Sequence, residues 1–339
     1  MAMETVGQGA NRQDGFKPKH VFWVIAAALL IAVFLNASEL EREAKQKPFG
    51  AERDFWVAVW KPFAAVSRAL YLDKPREWAD EALGRERHAL FELPGVTPDA
   101  KQTPPPGPAL RTPTREDPLR LWVGGDSMSK VLGEAVVRQA VDSGLIDPHH
   151  QSELETGLTR PDFFDWPREL NDLAKKDPPY EVFVVMFGAN DAQGIVEPNG
   201  AIHQDPGTKG WTAEYRRRVA GVMDLLRTDG RLVVWVGQPV MRDDWLSEQM
   251  EMMNTIYREE AEQRPWVKFI DTWALFADKD GGYQAYLEVD GEEVLVRNPD
   301  GVHFVREGGE ILAEKILDVV FKEAGVEREQ PGTLTVPRP

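Results

Sequence analysis

The pattern of hydrophobic and polar positions changes several times along the chain. An uncharged apolar run occupies Val21–Ser38, and Glu39–Leu93 then mixes aromatic and charged residues in an amphipathic, helical pattern. Pro94–Pro118 is dense in proline, which is typical of an extended spacer. From Leu119 to Gly325, apolar runs alternate with amphipathic stretches. We therefore predict an N-terminal tail (1–20), a transmembrane anchor (21–38), a helical membrane-proximal segment (39–93), a proline-rich linker (94–118), an α/β domain (119–325) and a disordered tail (326–339).

The apolar run Val21–Ser38 is the strongest signal for a membrane helix. As a helix it would span about 27 Å at 1.5 Å per residue, close to the thickness of the bilayer's hydrocarbon core. The first interpretation is a single anchor. A cleaved signal peptide is the alternative, because Leu35-Asn36-Ala37 weakly resembles a cleavage site. A buried core helix is disfavoured because no polar face interrupts the run.

The orientation of this helix does not follow from charge, since basic residues flank the run on both sides. The simplest arrangement has the short tail on the cytoplasmic side of the membrane and the large domain on the other side, because long domains cross membranes largely regardless of charge. We therefore expect a single-pass protein of the inner, or cytoplasmic, membrane with its main domain in the periplasm.

The alternation after Leu119 predicts a mostly parallel sheet with helices on both faces. Strands are predicted at Leu119–Gly124, Tyr180–Gly188, Arg231–Gly237 and Trp266–Asp271, and a short strand is predicted to end near Thr156. A hairpin is predicted to turn at Asp290-Gly291. Helices are predicted at Ser129–Ser143, Pro167–Lys176, Thr212–Arg227 with Thr212 as a possible N-cap, Trp245–Gln263 and Glu310–Glu323. The segment Ala192–Trp211 is predicted to be a long loop beside the site.

Net charge and residue usage exclude several classes of function. The formal net charge is −16, and an acidic chain without a long basic patch is not expected to bind nucleic acid. The chain has no cysteine, which excludes disulfides, thiolate metal sites and cysteine nucleophiles. Eleven tryptophans suit either a core or a surface on which sugars stack. No spacing of histidines and acids indicates a metal site, and we expect no cofactor.

Three loops at the predicted carboxyl edge of the sheet, those of Ser127, Gly157 and Asn190, carry groups suited to acyl transfer. Ser127 follows the first strand, and a serine is a weak nucleophile unless a base takes its proton. His303 is a candidate base, and Asp300, three residues earlier, can hold its imidazole in the required tautomer. The oxyanion of an attacked ester needs fixed donors, for which the backbone N–H groups of Ser127 and Gly157 and the side chain of Asn190 are candidates.

Other residues of these loops have weaker assignments. Arg160, Asp191 and Gln193 are possible substrate-binding residues, and the alternative is a purely structural role in the loops. Asp126 is interpreted as a cap of the following helix or a backbone-bonding group in the turn, without a catalytic role.

Four short blocks carry a resemblance to a known superfamily. They are Gly125-Asp126-Ser127, Gly157, Gly188-Ala189-Asn190-Asp191 and Asp300-Gly301-Val302-His303, in this order. With them, the chain resembles the SGNH, or GDSL-like, hydrolases from about Leu119 to Gly325. The resemblance implies a flavodoxin-like three-layer sandwich with a mostly parallel sheet, a triad of Ser127, His303 and Asp300, and an oxyanion hole of Ser127, Gly157 and Asn190. Two departures are Met128, where many members carry a different residue, and the second block, which matches only in its glycine.

Within that superfamily, the chain looks most similar to bacterial proteins that add or remove acyl groups on envelope polysaccharides, as in alginate or peptidoglycan O-acetylation. The resemblance implies a serine-dependent esterase or O-acyltransferase for acyl esters of cell-envelope polysaccharide, with an acyl-serine intermediate. Its expected partners are the acylated polysaccharide, the membrane and a membrane acyl-donor protein. The alternative is a non-catalytic, membrane-tethered polysaccharide-binding or scaffold protein, which the tryptophans and the spacer would suit.

Overall fold

The computed structural model describes residues 18–45, 51–72, 107, 109–161, 163–196, 202–203, 206–228, 230–330 and 333–335. The chain forms two compact units, residues 1–85 and 86–339. Residues 1–17 of the predicted N-terminal tail (1–20) lie outside the described residues, whereas residues 18–20 already belong to a helix. Most of the predicted proline-rich linker also lies outside them, as does the predicted helical pattern after residue 72.

The first unit contains two helices, α1 (Pro18–Lys45) and α2 (Ala51–Ala69). Within α1, Lys19–Ser38 is long and apolar enough to cross a membrane, and only 6% of this stretch is buried. α1 continues without a break to Lys45, and its second half packs against α2. Ala37 is completely buried there, and Arg68 forms a 2.8 Å ion pair with Glu41. The helix predicted as an anchor is thus longer than its apolar run.

The second unit contains eleven strands and six helices among its described residues. The strands are β1 (Leu119–Gly125), β2 (Ile146–Ser152), β3 (Val182–Met186), β4 (Ile195–Val196), β5 (Ile202–His203), β6 (Leu232–Val236), β7 (Val267–Ile270), β8 (Tyr286–Val289), β9 (Glu292–Leu295), β10 (Glu327–Gln330) and β11 (Thr333–Thr335). The helices are α3 (Met128–Ser143), α4 (Trp166–Ala174), α5 (Lys209–Leu225), α6 (Asp244–Glu262), α7 (Thr272–Phe276) and α8 (Arg306–Glu323).

Five strands form one parallel sheet in the order β2-β1-β3-β6-β7. Every residue of β3 and β6 is buried, as their continuous apolar sequences predict for strands covered on both faces. α3 packs with α8, while α4, α5 and α6 pack in a second group. The predicted three-layer α/β sandwich with a mostly parallel sheet is therefore confirmed, and all five strands point their carboxyl ends to one edge.

Several predicted boundaries differ from the structure. β2 ends at Ser152 and not near Thr156, and α5 is capped by Thr208, whose side chain accepts from the Trp211 N–H, and not by Thr212. The predicted long loop before α5 contains the antiparallel ribbon β4–β5. The predicted disordered tail contains a second ribbon, β10–β11. The hairpin β8–β9 turns at Asp290-Gly291 as predicted, with both residues at positive φ.

Candidate active site

Ser127, His303 and Asp300 form one hydrogen-bonded chain at the carboxyl edge of the sheet. Ser127 lies between β1 and α3, and its Oγ is 2.9 Å from His303 Nε2. His303 and Asp300 lie in the loop before α8, where His303 Nδ1 is 2.9 Å from Asp300 Oδ2. The side chains of His303 and Asp300 are 35% and 38% exposed, so that a substrate can reach them from solvent. The candidate nucleophile, base and orienting acid are thus in contact.

The turn before Ser127 is held against the neighbouring strand by glycine and a buried acid. Gly125 has a φ of 147°, and a Cβ added there would lie 2.0 Å from the Met186 carbonyl oxygen, so that only glycine fits. Asp126 is completely buried, and its carboxylate accepts from the Met128 N–H at 2.9 Å and the Gly188 N–H at 3.0 Å. The loops after β1 and β3 are therefore joined directly beneath Ser127.

Burial has a large effect on Asp126. It raises the pKa of this carboxyl to about 7, and the nearby Asp191 adds to the rise, while the backbone N–H donors oppose it. Asp126 thus has the structural role that the sequence indicated. Its carboxyl group titrates in the neutral pH range.

The loop that carries the acid and the base is shaped by backbone hydrogen bonds to Asp300. Its Oδ1 accepts from the Val302 N–H at 2.7 Å and the His303 N–H at 2.9 Å. Partial burial alone would raise the pKa of Asp300, but these N–H groups and the His303 ring outweigh it and hold the pKa below its ordinary value. Asp300 therefore remains ionised, as a residue that orients an imidazole must.

Arg297 fixes the same loop from beneath, and no sequence motif pointed to it. Its guanidinium is completely buried and donates to the Val240 carbonyl at 2.7 Å and the Val302 carbonyl at 2.8 Å. It lies between the rings of Tyr283 and Phe304, with its Cζ 5.3 Å from each ring centre. Burial lowers the pKa of Arg297 to about 10. The backbone immediately before His303 is thus held by a rigid cation.

The strand order places the candidate oxyanion donors in loops next to the one that carries Ser127. Gly157 follows β2 and Asn190 follows β3, and these two strands flank β1 on either side. Within the part of the chain that the structure describes, neither the Ser127 N–H nor the Gly157 N–H donates to a protein acceptor. Asn190 Nδ2 donates one hydrogen to the Thr156 carbonyl at 3.1 Å, which leaves its second hydrogen for a ligand.

The predicted substrate-binding residues occupy different environments. Arg160 is half-buried in the loop after Gly157, and Gln193 is half-buried with its side-chain amide donating to the Asn190 carbonyl. Asp191 is completely buried and its carboxylate is surrounded by protein donors, so the structure gives it no access to substrate. Its prediction as a substrate contact is therefore corrected. Among the described residues, no group of three or more histidines and acids is placed to hold a metal ion.

Comparisons with known proteins give a family and distant structural neighbours. The model of the family described as "Protein of unknown function (DUF459)" matches residues 120–319, which contain all four sequence blocks. No curated protein matches the chain.

Among solved structures, TesA is 17% identical, with a TM-score of 0.40, and the match covers 60% of this chain and 99% of TesA. An acetyl xylan esterase variant from Geobacillus stearothermophilus is 17% identical, with a TM-score of 0.39 and coverage of 65% and 97%. A GDSL-like lipase from Bacteroides thetaiotaomicron is 17% identical, with a TM-score of 0.39 and coverage of 63% and 93%. Similarity of this extent assigns neither an activity nor a substrate.

Proposed function

The chain belongs to the DUF459 family, within the SGNH, or GDSL-like, hydrolase superfamily, and we propose that it is a membrane-tethered serine esterase or O-acyltransferase. Its proposed substrates are acyl esters of cell-envelope polysaccharide, and its proposed intermediate is acyl-Ser127. The observation that carries this proposal is the 2.9 Å distance between Ser127 Oγ and His303 Nε2. A serine hydroxyl in this contact can lose its proton to the imidazole as it attacks a carbonyl.

The first half-reaction forms the acyl-enzyme. Ser127 Oγ attacks the ester carbonyl carbon while His303 Nε2 takes the hydroxyl proton, and Asp300 stabilises the imidazolium that results. The carbonyl oxygen becomes an oxyanion, for which the N–H groups of Ser127 and Gly157 and the free Asn190 amide hydrogen are the proposed donors. The ester C–O bond then breaks, and the departing alkoxide receives the proton from His303.

The second half-reaction decides between hydrolysis and transfer. Water, or a sugar hydroxyl, gives its proton to His303 and attacks the acyl carbonyl through the same oxyanion geometry. Ser127 Oγ leaves and recovers its proton. The two activities therefore need the same residues and differ only in which acceptor reaches acyl-Ser127, so that acceptor access determines the product.

The proposed location rests on α1. Its 20-residue apolar stretch Lys19–Ser38 fits a bilayer, and most of its side chains are exposed. A cleavage after Ala37 would cut α1 where Ala37 and Glu41 are buried against α2. This packing favours a retained anchor over a cleaved signal peptide, and an anchored enzyme outside the cytoplasm would meet envelope polysaccharide.

Five buried tryptophans of the second unit give no support to the alternative of a non-catalytic sugar-binding protein. Trp122, Trp166, Trp211 and Trp235 are among the largest fully buried side chains, and Trp266 is 6% exposed. Rings in these positions stabilise the core and are not available for stacking on sugars.

The function is tested by following both products of an activated acetyl ester. The full chain in detergent is incubated with the ester, with and without an oligosaccharide, and free acetate and acetylated sugar are measured by mass spectrometry. We expect both products from the wild type and from a Ser143→Ala control, neither from Ser127→Ala, and transfer to the sugar to exceed slow hydrolysis. Equal product formation by folded Ser127→Ala would exclude the proposed reaction.

A further inference from the structure

A buried carboxylate, Asp191, accepts four hydrogen bonds behind the loop that follows β2. Its Oδ1 accepts from the Thr159 N–H at 2.9 Å and the Thr159 hydroxyl at 2.8 Å. Its Oδ2 accepts from the Leu158 N–H at 3.1 Å and the Tyr215 hydroxyl at 2.8 Å. A carboxylate has about four acceptor sites, so none is left over for a substrate. The carboxylate of Asp191 therefore binds backbone N–H and hydroxyl groups of the protein and no substrate.

The same carboxylate lies directly against Gly157. A Cβ added to Gly157 would be 2.2 Å from Asp191 Oδ1, so that glycine is what allows this close approach. The peptide group that carries the Gly157 N–H is then held from two sides. On one side the Thr156 carbonyl accepts from Asn190, and on the other the next two N–H groups donate to Asp191.

Two buried tyrosines hold Asp191 in turn. The Tyr215 hydroxyl, which donates to Asp191, is 2.7 Å from the Tyr257 hydroxyl, and the latter is 3.1 Å from the Phe187 carbonyl oxygen. Both tyrosines are completely buried. Because Phe187 directly follows β3, the network returns to the strand from which Asn190 and Asp191 project. The hydrogen-bonded pair Tyr215 and Tyr257 therefore connects the loop after β2 to the end of β3.

From these contacts we propose that Asp191 is the positioning residue of the oxyanion hole. It touches no reacting atom and acts through Gly157 and Asn190, whose donors it holds at a fixed separation, with Tyr215 as its support. The inference rests on the proposed function, because donor placement affects catalysis only if an oxyanion forms. Its kinetic signature is a loss in the chemical step, since a misplacement of about 1 Å at a reacting centre can cost about 10²-fold.

The test compares Asp191→Asn, Tyr215→Phe and a matched control. An asparagine keeps the shape of Asp191, but in either flip its NH₂ group faces one backbone N–H and one hydroxyl. The N–H then loses its acceptor, and the hydroxyl must reverse to accept from the amide. We expect Asp191→Asn to lower kcat by about 10- to 100-fold with KM changed less than about threefold. Tyr215→Phe should lower kcat less, by several-fold. Ile316→Val, a buried change in α8, serves as the control for lost stability and should leave kcat unchanged.

Hydrogen exchange of the Leu158 and Thr159 amides provides a readout that does not depend on activity. In the full chain, both amides should exchange faster in Asp191→Asn than in the wild type and be unaffected in Ile316→Val. Unchanged exchange, an unchanged kcat, or a rise in KM alone would overturn the positioning role. If Asp191→Asn does not fold, Tyr215→Phe decides by the same criteria. A wild type that turns over no ester would refute the proposed function instead, and the exchange data would still decide whether Asp191 holds the loop.

Discussion

Asp300 binds His303 through both of its carboxylate oxygens. Oδ2 is 2.9 Å from the ring Nδ1, and Oδ1 accepts from the backbone N–H of the same histidine at 2.9 Å. Asp300 and His303, the proposed acid and base, are thus fixed to each other within a single turn, whereas Ser127, the proposed nucleophile, follows the distant strand β1. The geometry of this pair depends little on the rest of the fold, and a change at Asp300 should act on His303 specifically.

Replacing the acid tests that relationship. Asp300→Asn should lower kcat by about 10²–10⁴-fold with little change in KM, because an amide cannot stabilise the imidazolium and favours the wrong tautomer. Steady-state kinetics on an activated ester measure the effect. Glu288→Gln, which removes an exposed charge from the hairpin β8–β9, is the control. An Asp300→Asn enzyme with wild-type kcat would show that His303 needs no orienting acid.

Removing one proposed oxyanion donor should slow the chemical step. We expect Asn190→Ala to lower kcat by about 10²–10³, the usual loss for one such donor. The free amide hydrogen of Asn190 motivates this expectation. The experiment is a kcat and KM determination with melting temperatures to confirm folding. A raised KM at normal kcat would mean that Asn190 binds the substrate and does not stabilise the oxyanion.

The buried Asp126 should make stability depend on pH in an unusual direction. Burial raises its pKa from 3.8 to about 7, so that between these values the native state keeps a proton that the unfolded state has lost. The free energy of unfolding should therefore fall as pH rises from about 4 to 7, by at most about 1.4 kcal/mol per pH unit from this group. Asp300, with its lowered pKa, contributes in the opposite sense, and its contribution is lost as pH falls through that lowered value.

Thermal unfolding of the full chain in detergent from pH 4 to 8 separates these contributions. Asp126→Asn should lower the melting temperature overall, because one backbone N–H loses its acceptor. It should also remove the part of the pH dependence that Asp126 causes. Parallel curves for the wild type and Asp126→Asn would contradict the raised pKa of Asp126.

The anchor is tested by fractionation. The full-length chain should sediment with membranes, and deletion of residues 1–38 should release it into the soluble fraction, because the apolar stretch Lys19–Ser38 is then absent. N-terminal sequencing of the mature protein completes the test. A mature chain that begins after Ala37 would identify a signal peptide in place of an anchor.

Much of the fold and of the site follows from local sequence patterns. The apolar runs at β3 and β6 are long enough to predict strands buried on both faces. Once the sheet is parallel, the carboxyl ends of its strands meet at one edge, and this places Ser127 and Asn190 in the loops after two neighbouring strands. Asp300 and His303 are close in sequence, so that their contact needs only a turn.

The sequence could not predict what depends on distant donors. Asp191 follows β3 near the carboxyl edge of the sheet, a position that predicts a possible substrate contact. The donors that surround it instead come from α5 and from the loop after β2. No local sequence pattern indicates the role of Arg297, because its acceptors are the backbone carbonyl groups of Val240 and Val302. A carbonyl acceptor leaves no trace in the residue type. The ribbon β10–β11 was missed because its charged and polar residues resemble a disordered tail.

Ser127 is the residue proposed to carry the acyl group. Its most direct test is the intact mass of the full chain after brief incubation with an activated acetyl ester, followed by peptide mapping. We predict one added acetyl group on the peptide containing Ser127 in the wild type and none in Ser127→Ala. The acetylated fraction should be largest in Asn190→Ala if that change slows deacylation more than acylation. Acetylation on another residue, or an equal mass gain in Ser127→Ala, would contradict it.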